Sequence, residues 1–432
     1  MNKTKINTYL DKAIFFSLFY IIITIPLPYK FSNLGIVALA LSWLLKKGFS
    51  QQKIRSFKSE KGINWITVTF FLLFIWQLIS LFYTKNLDTG FKNLESKLSF
   101  IVLPLIMADI RLNRKELIRF IKLYIYSIAL CSTALISLSI FNYIKNGAFL
   151  IYHDFTEVLG FHAVFYSYCL YLAVLLIYYL LRIREHSKVE LILYALASIL
   201  SFASLVISAS KNVLVVTIIS ILILSIFSFI RGKVKMKHLV VAGSIIVICL
   251  ITFSQSTSIK NRVNELTQLN GIENLEIIKS GGVLSHEDRI KFNGTSLRIV
   301  FWHLGLKKLK DYNRYWIGLS SGDRKDVMNK EFYSNGLNPA YEDYNIHNQY
   351  LQILVELGIV GLLIYLALNF SLLREGLYEK NYILIAFLAA FTVFQMTESV
   401  LERNKGIVFF VFFLLFISKL KFKSNEDRNH RN

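Results

Sequence analysis

Residues 189–230 read VELILYALASILSFASLVISASKNVLVVTIISILILSIFSFI, two apolar runs separated by Ser208-Ala209-Ser210-Lys211. Each run approaches the ~20 residues that cross a bilayer as a helix. Only Glu190 and Lys211 carry charge in this stretch. In hydrocarbon every backbone polar group must be bonded within its own segment, so such runs span as helices. The pattern recurs at 13–29, 32–46, 64–83, 97–109, 117–142, 160–181, 189–209, 212–230, 238–254, 347–372, 380–400 and 406–420, which predicts about twelve spans. The run at 97–109 is short and contains Pro104. The first ends at Pro26 and Pro28, where a helix should break. No small-residue cleavage site stands out after the first run, so no cleavable signal peptide is expected.

The composition agrees. Of 432 residues, 54% are hydrophobic and 18% charged, whereas a soluble chain carries ~25% charge. The net charge is still +21, from 49 Lys+Arg against 28 Asp+Glu. This combination excludes a cytosolic enzyme, a disordered chain and a nucleic-acid binder. The segments 1–12, 46–63, 110–122, 182–188, 231–237, 373–380 and 419–432 hold 28 of the 49 basic residues. The short segments on the opposite side hold 8, and 255–346 holds the other 13. By the positive-inside rule both termini are cytoplasmic and the long segment is external. The chain is expected to be an all-α integral membrane protein: helices 1–9 in 1–254, a periplasmic loop region at 255–346, helices 10–12 in 347–420 and a cytoplasmic tail at 421–432. Roughly 90 residues make a marginal independent domain, so the loop region should pack on the membrane part. Within it, 296–309 has helical apolar spacing, and Gly318-Leu-Ser-Ser-Gly322-Asp323 reads as a flexible turn. Cys131, Cys169 and Cys249 sit in apolar runs and imply no disulfide framework.

Ionisable residues at span ends are the informative ones. At the external ends lie His162 and Tyr166, Lys211, His347, and Glu398 with Glu402 and Arg403; the long segment brings Arg298 to the same side. His347 reads either as a helix-start residue at the interface or as a general base, since a reference imidazole titrates near ~6.5. Arg298 and Lys211 read either as headgroup anchors or as ligands for a phosphate-bearing substrate, Arg bidentate and Lys as a point charge. Glu356 is expected to be a buried structural acid, with Gly358 and Gly361 forming a small-residue face for helix packing. Trp302 and His303 read as loop-to-membrane packing. The eight histidines are scattered, and no metal-ligand spacing, Walker loop or dinucleotide fingerprint occurs. No cofactor is expected, so an external reaction would need an already activated donor.

The stretch His347-Asn-Gln-Tyr-Leu-Gln-Ile-Leu-Val-Glu356-Leu-Gly358-Ile-Val-Gly361-Leu resembles the signature of the O-antigen ligase and polymerase superfamily, closest to the ligases. Arg298 with Trp302, then Gly318 and Gly322-Asp323, resemble that family's external loop. Ser210-Lys211 stands at the place of its basic residue, commonly arginine, and Thr397-Glu398-Ser399 resembles its late Glu-Ser segment. Ser320 stands where a middle glycine is expected. The resemblance implies a GT-C-like fold and an inverting, metal-independent glycosyltransferase in the bacterial inner membrane. It implies a donor glycan on undecaprenyl diphosphate and a lipid A-core hydroxyl as acceptor, with membrane lipids around it and no nucleic acid. His347 would be the base, and Arg298 and Lys211 would hold the diphosphate. His162, Tyr166, Glu398 and Arg403 would line the cavity or orient these groups. Within the same chemistry, a polymerase or a protein O-oligosaccharyltransferase would share these residues. A transporter or lipid flippase would instead show internal repeats and polar residues at mid-depth, whereas here they gather at one surface.

Overall fold

The computed structural model describes residues 3–50, 56–59, 62–160, 162–183, 186–230 and 269–420. The span expected at 238–254, the basic segment 231–237, Cys249, the loop start 255–268 and the tail 421–432 lie outside the described residues.

The described residues are almost wholly helical. The helices are α1 (Lys3–Thr24), α2 (Tyr29–Ser50), α3 (Trp65–Ser80), α4 (Leu87–Ser96), α5 (Ser99–Asp109), α6 (Arg114–Asn146), α7 (Tyr152–Thr156), α8 (Ala163–Ile183), α9 (Lys188–Ile207), α10 (Lys211–Ile230), α11 (Asn274–Lys279), α12 (His286–Ile290), α13 (Gly294–Asp311), α14 (Arg324–Ser334), α15 (Gln349–Tyr378), α16 (Tyr382–Gln395) and α17 (Asn404–Ile417). Two-residue strands at Lys58–Ser59 and Gly62–Ile63 pair antiparallel. Local chemistry sets the ends. Asn113 with Glu116 and Ser187 with Glu190 form capping boxes that start α6 and α9. The turn containing Pro26 and Pro28 separates α1 from α2, as expected.

Each apolar run among the described residues falls on a helix. Among the described residues, six helices are long and apolar enough to cross a membrane, and Lys211–Phe227, Tyr382–Gln395 and Asn404–Ile417 are shorter apolar helices. The run at 97–109 yields only eleven helical residues in α5, too few to cross a bilayer unaided. Large apolar side chains such as Phe82, Leu130 and Ile144 remain exposed on the outside. Their number suits a lipid surround rather than water. The chain is a multi-pass membrane protein. Its main core joins α1 to α3, α5 to α10 and α15 to α17. The segment after 269 has a small core of its own, including Leu275, Val300, Phe301, Phe332 and Leu337. It docks on α15 through Leu309, Leu319, Ile346 and Val355.

The docking corrects two expectations. Gly358 does not lie on a helix-packing face. It breaks α15, with φ 71° and ψ −171°. The backbone groups freed by the break must find partners inside the membrane region. Residues 315–320 supply them. Leu319 N and Ser320 N donate to the carbonyls of Val355 and Glu356 at 2.8 and 3.0 Å. Ile359 N and Val360 N donate to the carbonyls of Tyr315 and Trp316 at 2.8 and 3.3 Å. Trp76 Nε1 donates to the Leu357 carbonyl at 2.9 Å. The stretch 318–322 is therefore a buried, fixed strut and not a flexible turn. A Cβ on Gly358 would sit 2.3 Å from the Trp316 carbonyl, and one on Gly318 (φ 76°) would sit 2.4 Å from that of Glu356. The two glycine motifs are thus halves of one contact. Ser320 has φ 82°, which gives the physical reason for glycine there. Its hydroxyl accepts from Thr84 Oγ1 and Asp323 N, which offsets part of the strain.

Candidate active site

Asn348 caps α15, accepting from Tyr350 N and Leu351 N at 3.0 Å each. Its Nδ2 donates to the Met396 carbonyl at 3.1 Å, which ties the turn after α16 to the start of α15. His347 precedes the cap with φ 52°. Its Nδ1 lies 3.2 Å from Glu398 Oε2, and Arg298 Nη2 donates to Glu398 Oε1 at 3.1 Å. One carboxylate therefore bridges the imidazole and the guanidinium. An ionised carboxylate only accepts hydrogen bonds, so Nδ1 carries a proton here, and in the neutral imidazole Nε2 then holds the lone pair. Burial pushes the Glu398 carboxyl up. The hydrogen bond from His347 and the charge of Arg298 outweigh burial and hold it below its ordinary value. Ala209 and His347, in the turns before α10 and α15, and Tyr152, the first residue of α7, all adopt left-handed backbone. Such strain persists only where surrounding contacts enforce it.

The remaining candidates divide. His162 joins the group electrostatically. Burial and His153 push it down to about 3, against the pull of Glu398, and Arg403 and His347 also act on it. It is a neutral imidazole whose ring lies 3.6 Å from that of His153. Lys211 is half-buried at the start of α10. The next residue, Asn212, donates to Thr397 Oγ1 at 2.6 Å, so this helix start abuts the Glu398 turn. Arg403 is exposed at the head of α17. Tyr166 is not brought to the group. It is fully buried, pairs with Ser132 Oγ at 2.8 Å and packs on Phe155. Trp302 Nε1 donates to the Ile346 carbonyl at 2.9 Å and supports the residue before His347.

Residues 196–366 match the O-antigen ligase family. This stretch of the chain is similar to the O-antigen ligase family. The match covers less than half of the 432 residues. It contains Lys211, Arg298, His347 and the Gly358 break, and it ends before Glu398. No curated protein matches the chain. The family supports O-antigen ligase or a related glycan-transferring activity.

Near the His347 group, the matched stretch joins the rest of the chain through a buried charge cluster that the sequence did not reveal. Lys97 Nζ and Gln77 Nε2 each lie 2.9 Å from Glu356 Oε1. Arg324, 1% exposed, pairs with Glu402, and its Nε lies 3.8 Å from Glu356 Oε2. Gln352 Nε2 reaches Glu356 at 3.4 Å and Glu402 at 3.0 Å. Leu401 N donates to Gln349 Oε1 at 2.6 Å. Two cations and two carboxylates balance, as burial requires. The cluster clamps residues 396–402 onto the first turns of α15 and so holds Glu398 against His347. Lys97 is the partner of Glu356. Glu402 belongs to Arg324 and not to His347. An acid inside an apolar run is the one sequence signal that demanded such partners.

Proposed function

We propose that the protein moves a glycan from undecaprenyl diphosphate to a hydroxyl of the lipid A-core acceptor at the periplasmic face of the inner membrane, with inversion. The observation that carries this reading is the Glu398 bridge between His347 and Arg298. The acceptor O–H gives its proton to His347 Nε2. The oxygen attacks the anomeric carbon from the side opposite the diphosphate, and the bond between that carbon and the diphosphate oxygen breaks. Its electron pair leaves on the diphosphate, and the imidazolium is stabilised by Glu398. Arg298 spends one N–H on Glu398. Its Nε is buried without a hydrogen-bond partner among the described residues. Its other donors are left to meet charge developing on the diphosphate, with Lys211 and Arg403 as further cations. Glu398 acts as a positioning residue, fixing the tautomer and the place of the arginine. The diphosphate leaving group supplies the activation. Both termini would be cytoplasmic, which puts the His347 group outside.

The polymerase, whose acceptor is another lipid-linked repeat unit, and the protein O-oligosaccharyltransferase use the same proton and leaving-group chemistry. Deleting the gene separates them. Loss of long chains from lipid A with lipid-linked polymer accumulating supports the ligase. Collapse to single repeat units on lipid A supports the polymerase. Unchanged lipid A with glycan lost from protein supports the third, and no glycan change at all overturns the proposal.

A further inference from the structure

Beside His347 lies a group of rings that the chemistry above leaves unused. The Tyr344 ring centroid is 6.0 Å from that of His347, at 65°. Tyr341 lies 5.5 Å from Tyr344. Phe301 sits beneath them, 5.9 Å from Tyr341 and 6.5 Å from His347. The three do different jobs. Phe301 is fully buried and Tyr341 is half-buried, both part of the small core of the external segment. Tyr344 is 42% exposed and outside that core. A tyrosine that contributes little to packing is nevertheless held in place. Asp343, at φ 61°, is fixed by Asn329 in both directions: Asn329 Nδ2 donates to Asp343 Oδ1 at 3.0 Å, and Asp343 N donates to Asn329 Oδ1 at 2.9 Å. Tyr344 N then donates to the Tyr341 carbonyl at 3.1 Å. The ring is thus an exposed, preorganised aromatic surface one ring-width from the base, with the exposed carboxylates of Glu342 and Asp343 on the same turn.

We infer that Tyr344, backed by Tyr341 and Phe301, is a stacking platform for a pyranose ring of the acceptor, presenting its hydroxyl to His347. The inference rests on the proposed transfer reaction and names the subsite that receives its acceptor. A pyranose has an apolar C–H face that covers an aromatic ring and a rim of hydroxyls that donate to carboxylates. A rigid aromatic with two rotatable bonds binds such a surface at small entropic cost. The acceptor ring is favoured over the donor ring because the platform adjoins the base, which must meet the attacking hydroxyl, whereas the cations that suit the diphosphate lie across Glu398.

The probe is the core oligosaccharide released from lipopolysaccharide by mild acid, titrated against the purified full chain in detergent without donor and followed by saturation-transfer NMR. Wild type and Tyr344→Phe should bind it, and Tyr344→Ala should bind about tenfold more weakly. In the transfer assay Tyr344→Ala should raise the acceptor KM by a similar factor and leave the donor KM unchanged. Unfolding temperatures should match, since the residue is exposed. Equal oligosaccharide binding by wild type and Tyr344→Ala overturns the platform, as does no binding by wild type. A rise confined to the donor KM would assign the ring to the donor sugar and overturn the acceptor site. Tyr344-dependent binding by a wild-type protein that transfers no glycan would uphold the sugar site and overturn the proposed function.

Discussion

Replacing Glu398 by Gln keeps the shape and removes the charge, and the structure dictates which way the amide must face. Arg298 Nη2, 3.1 Å from Glu398 Oε1, only donates. The amide oxygen of Gln must therefore turn toward Arg298, and its NH2 toward His347 Nδ1. That NH2 also only donates, so Nδ1 must become the acceptor and the proton must move to Nε2. The lone pair that takes the acceptor proton is then gone. Loss of general-base catalysis costs about 10²–10⁴ in rate, equivalent to about 3–5 kcal/mol of transition-state stabilisation. The donor KM should change little, because Arg298 keeps a partner. The assay is initial-rate glycan transfer by purified protein, with the lipid-diphosphate donor and the acceptor varied separately. A Glu398→Gln enzyme with kcat within about threefold of wild type would refute the tautomer assignment.

Gly358→Ala should destabilise the protein by about 2 kcal/mol or more, because it combines left-handed backbone with a Cβ 2.3 Å from the Trp316 carbonyl; thermal unfolding in detergent measures it. Arg324→Met should cost about 3–5 kcal/mol by stranding Glu402, and adding Glu402→Gln should recover much of the loss, a double-mutant cycle that fails if the pair is not coupled. Burial raises the Glu402 carboxyl, but the charges of Arg324, Lys97 and Lys325 outweigh it and hold the group below its ordinary 4.5. Glu398 is held down as well. A depressed carboxylate stabilises the fold fully above the ordinary value and loses that contribution as pH falls through the lowered one. Unfolding temperature should therefore stay level above about pH 5 and drop progressively below it, and Glu402→Gln should flatten part of that drop.

Apolar runs showed the helices because the bilayer admits no other way to satisfy the backbone. Lengths were less legible: α5 is cut to eleven residues beside Lys97, a residue whose burial depends on Glu356 far along the chain. His347 and Glu398 stood out as uncommon residues at span ends and Arg298 as a cation of the external segment, and they meet. Tyr166, equally near a span end, turns inward to Ser132, since residue position along a helix does not state which face it occupies. The pairing of Gly318 with Gly358 was hidden for another reason. Each glycine reads locally as a turn or a packing surface, and only their mutual approach reveals why no side chain fits either. Arg324 and Gln352 gave no signal because their partners are set by how the external segment docks.

The most direct measurement uses purified protein, a polyprenyl-diphosphate-linked glycan and the lipid A-core acceptor, comparing wild type with His347→Ala and Arg298→Ala. Wild type should form the glycosylated acceptor and release polyprenyl diphosphate without ATP, while both variants, still folded in detergent, lose at least about 10² in rate. Wild-type rates in the His347→Ala protein would contradict a reaction driven by imidazole at this site.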